Sequence, residues 1–215
     1  MQEQHTKLDS PIDSMYLIHK ALRTEAVRAE RLADEVEIGG SLQSFKLTFN
    51  SWATALVFHA EQEDTHIISS LSNHEGPPHY NPLTSSSGDL KLAIAAQGEE
   101  LHRELIIAVQ DVLDVLDHEI GKTSVILRTK QHLYGEVVAL RFAQEDCLET
   151  EEAIVLPLVR ERMSERQQLE MVRCLLVDAD AQDTRWMIDW VSKRLSTSEQ
   201  ELLADLENRM MEVSA

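Results

Sequence analysis

Two stretches of the chain, FHAEQEDTHIISSL at 58–71 and DCLETEEAIVLPL at 146–158, carry one pattern of metal-ligating residue types at helical spacing. His59 and Glu63 of the first align with Cys147 and Glu151 of the second. The acidic pairs Glu63-Asp64 and Glu151-Glu152 coincide, as do the apolar stretches that follow. His-x-x-x-Glu on a helix puts an imidazole and a carboxylate on neighbouring turns of one face, where both reach one metal site. The motif alone discriminates poorly. With 9 His and 38 acidic residues, chance supplies such pairs, and His132-Leu-Tyr-Gly-Glu136 reads as one of them.

Depth along the helices separates signal from accident. His19 and His59 lie about twenty residues to either side of Gly39-Gly40, which sets them side by side in an antiparallel helix pair. His102 lies about nineteen residues before Gly121, and Cys147 and Glu151 lie about twenty-five to thirty after it. If the fourth helix starts about a turn after Gly121, all six fall within about two turns of one layer. His132 falls nearer the turns and reads as a surface or partly buried histidine. Ile18, Phe58, Leu101 and Leu148 each adjoin a candidate ligand, so the layer sits at the core boundary. Ionisable groups there need partners, because desolvating them unpaired costs several kcal/mol. A metal centre satisfies them, and so does a metal-free network of His–Glu hydrogen bonds.

The elements that must position this layer are helices. Strong helix formers dominate the chain, seven Gly and five Pro are clustered, and no alternating strand pattern is present. Ser10 or Asp13 caps a first helix with Pro11 in its first turn, running to Gly39-Gly40, with Leu17, Ile18, Ala21, Leu22 and Ala29 as its apolar stripe. A second helix covers about 41–71, a third about 89–119, and a fourth runs from near Thr123 or a turn later to about Arg162, with Pro157 near its end. The Pro-, Gly- and Ser-rich stretch at 72–89 is the one long loop, either a gate to the layer or plain mobile chain. Two shorter helices follow in SERQQLEMVRCLLVDAD and DTRWMIDWVSKRL. The capping box STSE at 196–199 opens a last one. The expected fold is all-α: an antiparallel up-down-up-down four-helix bundle over 1–165, with a C-terminal helical extension, 166–215, packed on it through Trp186 and Trp190.

A net charge of −18 repels phosphate backbones and anionic lipid, which argues against nucleic-acid and membrane-surface partners. No apolar run approaches a bilayer span, and MQEQHTKLDSPID lacks the pattern of a signal peptide. Two distant cysteines fit a reducing interior, so the cytoplasm is the expected compartment.

Arranged as His19, then His59-x-x-x-Glu63, then His102, then Cys147-x-x-x-Glu151, the pattern resembles the hemerythrin-like (HHE cation-binding) family. IHKALR around His19 and EEAIVLPL after the fourth-helix motif look like that family's surroundings, and the resemblance covers about residues 11–165. It implies a non-haem di-iron centre, with Glu63 and Glu151 bridging and His19, His59 and His102 as terminal ligands. Its partner would be a small diatomic or peroxide ligand: O₂, NO or peroxide, bound or sensed. Cys147 stands where the family carries His, and three readings are open. It is a thiolate ligand, a non-ligand that leaves one iron an imidazole short, or a small core residue in a site that no longer binds iron. Two other functions are open as well. One is an enzyme that decomposes peroxide or NO or repairs iron centres. The other is a metal-free helical interaction module that uses the acidic surface and the Trp-bearing tail.

Of the remaining candidates, His66 reads as a core or rim histidine, Tyr16 as a packed residue and Cys174 as packing. His5, His74 and His79 read as exposed, and His118 as a helix-end residue. The many Glu and Asp read mostly as solvated helix faces.

Overall fold

In the computed structural model, residues 7–73, 86–119 and 126–213 are described. His5, His74, His79 and Gly121, most of the expected 72–89 loop and the side chain of His118 lie outside those residues. Asp13 accepts hydrogen bonds from the backbone N–H groups of Asp9 and Ser10, both at 2.9 Å, which closes a 3₁₀ turn over Pro11–Ser14. Helix α1, Met15–Glu35, follows without a break. Its stripe of Leu17, Ile18, Ala21, Leu22 and Ala29 is wholly buried, as the spacing requires. Gly39 turns the chain at φ 85°, a left-handed conformation open to glycine at little cost, and α2 begins at Gln43.

The expected single helix over 41–71 is three pieces. Helix α2 ends at Glu63, a π-helical turn spans Asp64–Ile68, and α3 covers Ser69–Asn73. Ser69 clamps this wide turn twice, since its backbone N–H and its hydroxyl both donate to the Asp64 carbonyl. Helix α4, Ser86–Glu119, starts three residues earlier than the composition suggests. Helix α5, Leu127–Thr150, then passes into a second π turn, Glu151–Val155, and into α6, Leu156–Arg162. Here Leu156 N–H reaches back to the Glu151 carbonyl. Pro157, next in line, has no N–H with which to resume the α-helical ladder. Each π turn falls on one of the two aligned motifs.

Helix α1 packs on α2 and α5, α4 packs on α5, and α4 also meets α2, α3 and the first π turn. Gly98 permits that last approach, because a Cβ there would lie 3.2 Å from Ile68 Cδ1. Beyond α6 come α7, Glu165–Leu176, α8, Trp186–Ser192, and α9, Thr197–Val213. Helix α7 packs on α2 and the 3₁₀ turn, α8 packs on α1, and α9 packs on α7 and α8. Trp186 and Trp190 sit one turn apart and both meet α2: Trp186 packs edge-on to Phe58 at 5.2 Å, and Trp190 Nε1 donates to Ser51 Oγ at 2.8 Å. In STSE the Ser196 N–H donates back to the Glu199 carboxylate at 3.0 Å, one of the two bonds of a capping box, and the Ser196 hydroxyl donates to the same oxygen.

The reading of acidic residues as solvated needs correction at Glu25 and Glu199. Both are buried, and each is matched by a cation from another element: Arg194 for Glu25 and Lys20 for Glu199, at 2.6 Å each. The described residues are all-α, with no strand among them. None of their helices is long and apolar enough to cross a membrane.

Candidate metal centre

Helix α1 contributes His19, α2 contributes His59 and Glu63, α4 contributes His102, and α5 with its π turn contributes Cys147 and Glu151. All six residues are at most 4% exposed. His19 and His59 stand side by side, as their equal distance from the Gly39-Gly40 turn requires, with their rings 5.3 Å apart, edge to face. Two ligand-type triads form around one shared carboxylate: His19, His59 and Glu151, and His102, Cys147 and Glu151. In each, the candidate donor atoms lie within 4.8 Å of one another. Glu63 borders both, with Oε2 at 3.8 Å from His59 Nε2 and 3.6 Å from His102 Nε2. Glu151 Oε2 lies 3.1 Å from His19 Nε2 and 3.7 Å from His59 Nε2, while Oε1 lies 3.3 Å from His102 Nε2. Cys147 Sγ donates to Glu151 Oε1 at 3.0 Å.

The second member of each acidic pair holds an imidazole from behind. His102 Nδ1 donates to Asp64 Oδ1 at 2.7 Å, and His19 Nδ1 donates to Glu152 Oε1 at 2.7 Å. An Nδ1–H fixed in this way aims Nε2 at the centre of the layer. Arg23 steadies Glu152 at 2.6 Å and carries the chain of contacts outward to Glu145 at 2.8 Å. Each acidic pair stands where an α-helix passes into a π turn, and Glu63, Asp64 and Glu151 keep α-helical dihedrals. Sequence reasoning assigned no role to Asp64 or Glu152, although the coincidence of the acidic pairs was their signal.

Burial opposes protonation of His19, but the carboxylates of Glu151 and Glu152 outweigh it and raise its pKa to about 9. Burial likewise works against a charged His102, and its contacts with Cys147, Glu151 and Glu63 overcome that and raise it. Burial would lift Glu151 too, yet His102, His19 and His59 hold it well below the usual carboxylate range. Glu63 is the opposite case: burial and the neighbouring charge of Glu151 push it up. Burial also pushes the Cys147 thiol up, against the pull of His102.

Several buried atoms here have no hydrogen-bond partner, namely both ring nitrogens of His59 and both oxygens of Glu63, whereas His19 Nε2 and Glu151 Oε2 face each other at 3.1 Å. One turn before Cys147, the buried Gln144 is held through Oε1 by Trp52 Nε1 at 2.7 Å, and its Nε2 is also without a partner. His132 stands apart, exposed and paired with Glu136 at 3.2 Å. His66 and Cys174 line a groove of about 270 Å³ beside α7, away from the layer. Tyr16 OH accepts from Arg160 at 3.2 Å.

No protein-family model, curated protein or solved structure matches the chain.

Proposed function

We propose that α1, α2, α4 and α5 form an antiparallel up-down-up-down four-helix bundle of hemerythrin-like type, whose layer of six residues is a non-haem, iron-bearing dinuclear centre that binds or senses O₂, NO or peroxide. The observation that carries this reading is the set of buried, unpartnered atoms on His59 and Glu63, which face the two triads. A finished metal-free network of His–Glu hydrogen bonds would leave those atoms paired, since an unpaired buried polar group costs about 1–3 kcal/mol. Imidazole nitrogens and carboxylate oxygens aimed at one point are a donor set that suits iron.

His19 and His59 would hold one ion and His102 and Cys147 the other, with Glu151 common to both and Glu63 between them. Iron so held supplies an open coordination position for a small ligand and two accessible oxidation states. The chain's own contribution is orientation and exclusion of water. Asp64 and Glu152 fix the tautomers of His102 and His19. Ile18, Leu56, Ala60, Ile67, Leu105 and Leu148 wall the interior with apolar surface. Gln144 offers a fixed amide N–H one turn below Cys147.

The test is the metal content of protein purified without chelator, together with its visible–ultraviolet spectrum in air. Iron with an absorption band lost on chelation supports the centre, and metal-free protein that stays so in excess ferrous iron sinks it. Turnover of peroxide or NO by loaded protein separates an enzyme from a carrier or sensor.

A further inference from the structure

The two halves of the layer are built from different donors, and that difference carries a consequence for metal choice. Glu151 is common to both triads, and Glu63 borders both at nearly equal distance. What remains is a pair of imidazoles in one half and an imidazole with a thiol in the other. We propose that the halves take different metals: iron at the His19–His59 position, and a thiophilic divalent cation of the zinc class at the His102–Cys147 position. The proposal rests on the reading of the layer as a metal centre.

Cys147 is placed as a donor. It is buried, it sits one turn before Glu151, and its S–H points at the very carboxylate the two triads share. It forms no disulfide, since Cys147 and Cys174 are both free. A thiolate shifts the preference of a mononuclear position toward zinc-like ions and cuprous copper, whereas a set of imidazole and carboxylate without sulfur is one that iron also fills. The hard oxygens of Glu151 and Glu63 beside the sulfur decide for the divalent, borderline-soft ion over cuprous copper. Occupation of this half breaks the Cys147 S–H bond, forms a sulfur–metal bond and passes one proton to solvent, with no electron transferred.

Anaerobic titration of the metal-free protein with Co²⁺, a coloured stand-in for zinc, tests this. The near-ultraviolet thiolate-to-cobalt band should be complete at the first equivalent, and a second equivalent should add only visible d–d absorption. One equivalent of Zn²⁺ added first should abolish the band when cobalt follows, while one equivalent of ferrous iron is still taken up. Cys147→Ser should lose the band, and Cys147→His should lose the preference and accept iron in both halves. A band that grows evenly over two equivalents overturns the proposal. So does binding of two cobalt ions with no thiolate band, an outcome that leaves the metal-centre reading standing. Failure of the unaltered protein to bind cobalt at all overturns both.

Discussion

His102 Nδ1 donates to Asp64 Oδ1 across 2.7 Å, and Asp64 is the residue directly after Glu63, which faces the opposite edge of the same imidazole. One acidic pair therefore grips His102 from both sides. Glu151 and Glu152 treat His19 in the same way, at 3.1 and 2.7 Å.

From this follows a prediction about residues that touch no metal. Asp64→Ala and Glu152→Ala should each weaken metal affinity about 10–100-fold while leaving the helices intact. Chelator competition followed by atomic spectrometry, with circular dichroism as the control, measures this. Unchanged affinity in both variants would show that the rear contacts do not orient the imidazoles.

The decoy motif gives a sharper contrast. His132→Ala should leave metal content unchanged, because His132 is exposed and outside the layer. His59→Ala should lower it strongly, because His59 is a member of the first triad. Equal loss from both would contradict the placement of the centre.

Much of this was legible in the sequence, for identifiable reasons. Helix spacing and the Gly39-Gly40 turn were enough to bring His19 beside His59, because an antiparallel pair preserves distance from its turn. The STSE box and the Trp186–Trp190 pair were local signals with local outcomes. The π turns were not legible. The first depends on which backbone carbonyl Ser69 finds, in an element that packs on α4, and the second falls directly before Pro157, which has no N–H to offer. The roles of Asp64 and Glu152 were hidden because their partners, His102 and His19, lie far away in sequence. The buried Glu25 and Glu199 escaped notice because their cations, Arg194 and Lys20, lie far away in sequence.

The pH dependence of the metal-free protein should reflect His19. Its pKa is raised to about 9 from 6.5, so its protonated form stabilises the folded chain. That contribution is fully present below pH 6.5 and is lost as pH rises through about 9. Its size is on the order of 3 kcal/mol. Bound metal requires a neutral imidazole, so loaded protein should not show this loss. The gap in Tm between loaded and metal-free protein should widen between pH 6.5 and 9, as thermal denaturation would show. A gap that narrows over that range would contradict the assignment of His19 as a ligand.

The C-terminal helices should contribute stability through Trp190. Its ring lies under Arg194 at 3.8 Å, its indole N–H is bound by Ser51, and Arg194 also neutralises the buried Glu25. Trp190→Ala should cost about 3 kcal/mol. Urea denaturation of metal-free protein reads this directly, and a loss under about 0.5 kcal/mol would show that α8 is not fastened by this residue.

The most direct measurement is metal stoichiometry in the unaltered protein and in a Glu63→Ala, Glu151→Ala double variant. The two carboxylates border both triads, so removing them should empty both halves together. Close to two ions per chain, iron among them, are expected in the unaltered protein, with loss of both in the variant and a matching drop in Tm by linkage. Full occupancy in the double variant would place the metal elsewhere and contradict the centre proposed for these six residues.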